Sequence, residues 1–204
     1  MSVLFYVVTA GLNVYWIAYA DRLSYFTQLV IPVISVLLVT AGVLLQLDKL
    51  SAQARTAYKR RALFLLLLYY GAIVCAVVFF GGLFGVERGW GGAVNLEPLY
   101  SIRRYLIHYR RTGSLFSLYN LVGNVLLLVP LGMLLPAVFD TMRRWWLCVP
   151  VLAVISGAVE LLQWHFGVGV ADIDDSILNF SGALLGYSAV MLLGGAIRRM
   201  RGKL

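Results

Sequence analysis

Charged residues are scarce in this chain. Asp, Glu, Lys and Arg make up 13% of its 204 residues, whereas 61% are hydrophobic and the mean hydropathy is +0.86. So few charges cannot cover a compact fold with a water-exposed polar surface, which excludes an ordinary soluble domain. The composition indicates a protein with several membrane spans.

Cysteine and the common catalytic motifs are also scarce or absent. The only two cysteines, Cys75 and Cys148, lie in separate apolar stretches, which predicts buried thiols rather than a disulfide or a metal pair. The sequence contains neither an HExxH nor a GxSxG motif. No basic segment or small-residue cleavage site precedes Asp21, so we expect the first apolar stretch to be retained as a helix rather than removed as a signal peptide.

Six apolar stretches have the length of a membrane-spanning helix. Roughly 20 residues at about 1.5 Å each cross a hydrocarbon layer of about 30 Å. The predicted spans are residues 3–19, 27–47, 62–82, 119–139, 145–166 and 176–197. We therefore predict an all-α, polytopic membrane helix bundle. Its expected parts are a two-helix hairpin with a basic loop (1–61), a four-helix domain (62–197) and a basic tail (198–204).

The net charge of +8 comes from basic residues that cluster at the ends of the predicted spans. Eleven of the 17 Lys and Arg residues fall on one side of a six-span topology, at Lys49, Arg55, Lys59, Arg60, Arg61, Arg143, Arg144, Arg198, Arg199, Arg201 and Lys203. Basic residues favour the cytoplasmic side, so both termini are predicted to lie in the cytoplasm. This distribution speaks against a nucleic-acid partner.

Three of the predicted spans carry polar residues at helical spacing, close to their predicted outer ends. These rows are Asn120 with Asn124, Glu160 with Gln163, and Asp172 with Asp175 and Asn179. An ionised Glu inside a span costs about 3 kcal/mol unless it faces partners or water, so we expect the rows to face one another. Two simpler interpretations stay open, namely interhelical hydrogen bonds and aspartates that cap a helix N-terminus.

Small residues in the same spans would let the helices approach closely. Gly182 and Gly186 form a GxxxG motif, and Ser156, Gly157 and Gly123 lie in the neighbouring spans. The GxxxG motif would equally suit a homo-oligomer.

The predicted outer loop, residues 83–118, is long and basic. Its arginines and tyrosines predict an amphipathic helix that lies on anionic lipid headgroups. These residues are Arg103, Arg104, Arg110, Arg111, Tyr100, Tyr105 and Tyr109. Arginine binds phosphate groups through two parallel hydrogen bonds. A solvated surface helix is the alternative, and His108 is expected to be an interface residue rather than a ligand.

Several separated motifs over about residues 63–197 resemble the VanZ-like family of small bacterial membrane proteins. The segments are NLEPLYS, NLVGNVLLLVPLGMLLP and GAVELLQWHFGVGVADIDDSILNFSGALLGY. The matching positions are Asn95, Leu96, Pro98, Asn120, Asn124, Pro130, Gly132, Glu160, Gln163, Asp172, Ile173, Asp175 and Asn179. Many members carry an Arg shortly before the aspartates, where this chain has Gly169 and Val170, so Arg103 or Arg104 is the candidate replacement. The resemblance implies a cell-envelope function connected with resistance to teicoplanin.

Two kinds of function are compatible with these residues. The first is a protein that binds a lipid-linked envelope component or a lipoglycopeptide among membrane lipids, through Asn95, Arg103, Arg104, Asn120, Asn124, Gln163, Asp174 and Asn179. The second is a hydrolase or transferase acting on such a substrate, with Glu160, Asp172 and Asp175 as catalytic candidates. The same three carboxylates are the candidate ligands for Mg²⁺ or Ca²⁺. Transport ranks last, because the polar rows do not continue towards the inner face.

Overall fold

The computed structural model describes residues 2–19, 23, 25–47, 49–80, 94–167 and 170–201. The described residues do not include residues 83–93 of the predicted outer loop, Gly169 or residues 202–204 of the basic tail. The helices are α1 (Ser2–Tyr19), α2 (Tyr25–Leu47), α3 (Ala52–Phe80), α4 (Tyr100–Thr112), α5 (Leu115–Leu127), α6 (Val129–Val138), α7 (Trp145–His165) and α8 (Ile173–Arg201). A two-residue strand precedes α4 (β1, Val94–Asn95) and another precedes α8 (β2, Ala171–Asp172), while a 3-10 turn links α6 to α7 (Asp140–Arg143).

Six helical stretches in the described residues are long and apolar enough to cross a membrane. They run over Ser2–Tyr19, Val30–Leu47, Gln53–Val78, Leu115–Val138, Trp145–His165 and Ile173–Gly194. The all-α, polytopic membrane fold is therefore confirmed, and so is a separate helix in the basic loop, α4. The side of the membrane that each terminus faces stays a prediction.

Two helices begin earlier than the apolar stretches suggest. Helix α3 starts at Ala52 and includes Lys59, Arg60 and Arg61. Lys and Arg are good helix formers, but a search for apolar stretches does not detect them. Helix α8 starts at Ile173 and includes two aspartates in its first turn.

The fourth predicted span is interrupted at Leu128 between α5 and α6, since Pro130 has no backbone N–H to continue the helix.

The first compact unit, Met1–Gly85, contains α1, α2 and α3. Its core is formed by Trp16, Ile31, Ile73 and Val77. A neutral hydrogen-bond chain joins the three helices, since Ser35 donates to Asn13 Oδ1 at 2.9 Å and Asn13 Nδ2 donates to the Tyr69 hydroxyl at 2.8 Å. Such interhelical hydrogen bonds replace the hydrophobic driving force that is missing between helices in lipid.

The second compact unit, Val86–Leu204, is organised around α8, which packs against α5, α6 and α7. This unit does not contain α3, which the predicted 62–197 domain includes, and the predicted domain division stays a prediction.

Of the two free cysteines, Cys148 is buried in α7, as predicted, whereas Cys75 is exposed. The burial prediction for Cys75 is wrong because an apolar span has a lipid-facing side that the sequence pattern does not separate from its packed side.

Glycines let α8 approach the broken fourth span. A methyl group at Gly182 would overlap the carbonyl oxygen of Val125, and one at Gly186 would overlap that of Val129. The GxxxG motif therefore serves a helix contact inside this unit, together with Gly132 on the facing helix. In contrast, a methyl group at Gly123 or Gly157 would meet no atom within 4 Å, so these two glycines do not mediate close packing.

We predict that Gly182→Ala destabilises the protein and that Gly157→Ala, a matched change in a neighbouring span, does not. Forcing a methyl group into backbone costs about 1–3 kcal/mol, which corresponds to a Tm lower by about 5 °C. Thermal unfolding of the detergent-purified variants measures the difference. Equal Tm values for the two variants would contradict the close contact of α8 with α5.

Candidate functional site

The candidate site begins where the segments before α4 and α8 run side by side. The two short strands pair in parallel, with Val94 opposite Ala171 and Asn95 opposite Asp172. This pairing brings the N-L-x-P and D-I-x-D motifs together although their polar residues lie 77 positions apart in the chain.

Asp174 caps the N-terminus of α4 from another helix. Its Oδ1 accepts a hydrogen bond from the Leu99 backbone N–H at 2.6 Å, and its Oδ2 accepts bonds from the N–H groups of Ser101 at 2.8 Å and Ile102 at 3.2 Å. Leu99 is in the left-handed conformation with φ 65°, which is unusual for a residue other than glycine. A carboxylate at a helix N-terminus is favourable because free N–H groups and the helix dipole both attract it.

Asp172 joins the same arrangement and caps its own helix, α8. Its Oδ1 accepts hydrogen bonds from the Asp174 backbone N–H at 2.9 Å and from Asn95 Nδ2 at 3.1 Å, and its Oδ2 accepts one from the Ser101 hydroxyl. Asn95 Nδ2 also donates to Ser101 Oγ at 3.2 Å. We refer to Asn95, Ser101, Asp172 and Asp174 as the clasp, because together they fasten the start of α4 to the start of α8.

A second group of polar side chains lies within the spans and is called here the polar layer, formed by Asn124, Glu160, Asp175 and Asn179. Asn124 Nδ2 donates to Asp175 Oδ1 at 2.5 Å, and Asn179 Nδ2 donates to Glu160 Oε1 at 3.3 Å. Glu160 is only 6% exposed, so it does not face lipid. Glu160 and Asp175 interact electrostatically with each other and with Asp172. The structure thus joins one polar row from each of α5, α7 and α8.

The polar layer lies at one end of the spans. Glu160 is five residues before the end of α7 at His165, which places it about 7 Å from that end at a rise of about 1.5 Å per residue. Asp175 lies in the first turn of α8, and Asn179 lies one turn further on. The opposite end of α7 carries the exposed Trp145 and Trp146, which are typical of a membrane–water boundary.

Four other candidate residues lie outside these contacts. Asn120 is buried on α5 and Gln163 is half-buried on α7, but within the described residues neither forms a hydrogen bond to the clasp or the polar layer. Arg104 is exposed on α4, and neither it nor Arg103 pairs with an aspartate in the described part of the chain.

Three residues near the site were not predicted to belong to it, although Ser156 was expected to allow a close helix contact and Tyr105 to lie on the membrane surface. Ser101 completes the clasp, and Ser156 is buried one turn before Glu160 on the same face of α7. Tyr105 follows Ser101 by one turn, and its phenol pKa is raised by burial and by the nearby Asp175 and Asp172 carboxylates, against the opposing effect of Arg104. Extending the row of Glu160 and Gln163 by four residues would have found Ser156, whereas Ser101 and Tyr105 lie on α4, outside the three rows.

A groove of about 620 Å³ runs along α4. It is lined by Leu99, Ile102, Arg103, Leu106, Ile107 and Arg110, with Glu97 in the turn before the helix. Asp172, Asp174, Asp175 and Glu160 do not line it. The groove therefore combines arginine with exposed apolar side chains, whereas the buried acids hold helices together.

No group of three or more His, Cys, Asp or Glu side chains in the described ranges is arranged to hold a metal ion. The Mg²⁺ or Ca²⁺ site at Glu160, Asp172 and Asp175 stays a prediction.

Comparison with known proteins identifies one family. The family model described as VanZ/LLP1 matches residues 64–194, well over half of the chain and all of the clasp and polar layer. No curated protein and no solved structure matches the chain.

We predict that Asp174→Ala loosens α4 without unfolding the spans. The change leaves backbone N–H groups of Leu99, Ser101 and Ile102 without their acceptor, at a cost of about 1.4 kcal/mol, equivalent to about tenfold faster exchange. The exchange rate is measured by hydrogen–deuterium exchange of the backbone amides in the first turn of α4. Asp140→Ala, which removes an exposed aspartate elsewhere in the unit, is the control, and unchanged exchange in α4 after Asp174→Ala would disprove the capping role.

Proposed function

The chain belongs to the VanZ/LLP1 family, and from this membership we propose that it binds a lipid-linked envelope component, or a lipoglycopeptide, at the outer leaflet of the bacterial cytoplasmic membrane. Its membrane-length helices make it a multi-pass membrane protein. The proposed orientation, with both termini inside, follows from the basic residues at the other ends of the spans. Capture of a lipoglycopeptide there would contribute to glycopeptide resistance of the teicoplanin type.

The observation that carries this proposal is the composition of the α4 groove. Arg103 and Arg110 are two helical turns apart, about 10 Å along the axis, and both are exposed. Leu99, Leu106 and Ile107 lie beside them and are 61%, 42% and 42% exposed. An anionic headgroup attached to an apolar chain satisfies both kinds of side chain, since arginine binds phosphate oxygens and the apolar residues bind the chain.

The surroundings of the groove support this role. The α4 helix contains four arginines and no acidic residue, so its field attracts anions. The clasp holds its first turn by hydrogen bonds to Asp174 and Asp172, which keeps the groove in a fixed position on the membrane domain. A preformed site loses less conformational entropy on binding than a mobile one. In this proposal the buried acids position α4 and do not contact the ligand.

We predict that the double variant Arg103→Gln, Arg110→Gln binds the lipid at least about tenfold more weakly, because each lost charged hydrogen bond is worth about 1.5–3 kcal/mol. The control is Arg104→Gln, Arg111→Gln, which removes the same charge from α4 outside the groove. Lipids that co-purify with each protein are identified by mass spectrometry, and the recovered species is then titrated into delipidated protein. Equal losses in both double variants would mean unspecific attraction to a basic helix and would contradict the groove.

A membrane enzyme is the second candidate function, and one observation favours it. Glu160 is a buried carboxyl group inside a span, and such residues commonly mark functional sites. Acting as a general acid or base, it would transfer a proton during cleavage or transfer at a lipid-linked substrate.

The Glu160→Gln variant distinguishes the two functions. We predict that the wild-type protein forms no product from purified lipid-linked precursors and that Glu160→Gln changes lipid affinity by less than about twofold, since Glu160 does not line the groove. Mass spectrometry of the incubated substrate is the measurement. Product formed by the wild-type protein and abolished in Glu160→Gln would establish the enzyme instead.

A further inference from the structure

Glu160 is a buried carboxyl group without a basic partner. Within the described residues no Lys, Arg or His side chain forms an ion pair with it, and the charged groups that act on it are the aspartates Asp175 and Asp172. It accepts hydrogen bonds from Asn179 Nδ2 and from the Asp172 backbone, and such bonds favour a carboxylate. An ionised carboxylate inside a span, beside other acids, is stable only with a compensating positive charge, and without one it takes up a proton.

Two buried oxygen atoms next to Glu160 also lack partners. In the described part of the chain, Asn179 Oδ1 and Ser156 Oγ have no hydrogen-bond partner, and both residues are only 1% exposed. Asn179 directs its amide at the Glu160 carboxyl group, and Ser156 lies one turn before Glu160 on the buried face of α7. An unpaired buried polar group costs about 1–3 kcal/mol. Exchanging the oxygen and nitrogen of Asn179 would place its oxygen against a Glu160 oxygen, which is unfavourable while Glu160 is ionised.

From the missing positive charge and the unpartnered oxygens, we propose that a sodium ion binds between α7 and α8, with the Glu160 carboxylate and the Asn179 carbonyl oxygen as ligands and the Ser156 hydroxyl nearby. A hard cation prefers oxygen ligands, and all three side chains supply oxygen. One positive charge balances one carboxylate. This site uses a single acid with neutral oxygens, unlike the predicted three-carboxylate site for Mg²⁺ or Ca²⁺.

The protein without any substitution provides the first test. Thermal unfolding in detergent is compared in NaCl, KCl and N-methyl-D-glucamine chloride at equal ionic strength. A ligand that binds only the folded state raises the Tm, and we expect about 3 °C in NaCl at ten times the dissociation constant. Equal Tm values in the three salts, or the same rise in KCl as in NaCl, overturn the sodium site and leave water as the partner of the unpaired oxygens.

Three variants then place the ion. Glu160→Gln, which keeps the shape of the side chain, should abolish the sodium-dependent rise in Tm, and Ser156→Ala should reduce it. Asp140→Asn, an exposed aspartate on the turn after α6, should retain the full rise. A full sodium response in Glu160→Gln would place the ion elsewhere and contradict this site. Lipid binding in the α4 groove is measured separately, so the two proposals fail independently.

Discussion

The carboxylate of Asp174 at the N-terminus of α4 is the interaction on which the rest of the candidate site depends. Asp174 is fully buried, and its oxygens accept the backbone N–H groups that the first turn of α4 cannot satisfy itself. The same hydrogen bonds stabilise the left-handed conformation of Leu99, which turns the chain into the helix. None of the 13 residues of α4 is buried, so its packing against α5 and α8 is shallow, and this cap strengthens its attachment to the membrane domain.

The membrane imposes the second constraint, since a span has no water to satisfy polar side chains. Asn124, Asp175, Glu160 and Asn179 therefore turn towards one another, and each hydrogen bond joins two different helices. Close packing makes this possible. Gly182 and Gly186 bring α8 against the backbone of α5 and α6, so that side chains as short as Asn and Asp meet.

These two constraints separate the roles of residues that look alike in the sequence. The aspartates before and within the first turn of α8 hold helices together, whereas Arg103 and Arg110 line an open groove beside apolar side chains. The proposed ligand therefore lies on α4, at the membrane surface, and the buried acids act by holding α4 in place. Glu160 and Asn179 are the part of the polar layer on which the proposed ion site is based, because within the described residues Glu160 has no basic partner and Asn179 Oδ1 accepts no hydrogen bond.

Membrane class, the six spans, the amphipathic helix and the family could all be predicted from the sequence, because hydrophobic length, helical spacing and motifs are properties of neighbouring residues. The helical rows also identified Asn124, Glu160, Asp175 and Asn179. Only the tertiary structure decided which partner each one has. Asp174 meets the backbone of Leu99 and Ser101 across more than 70 positions, and no local pattern encodes a hydrogen bond to a distant backbone. The tertiary structure also decided that Gly182 lies in a close helix contact and Gly157 does not, since a close approach depends on the position of another helix.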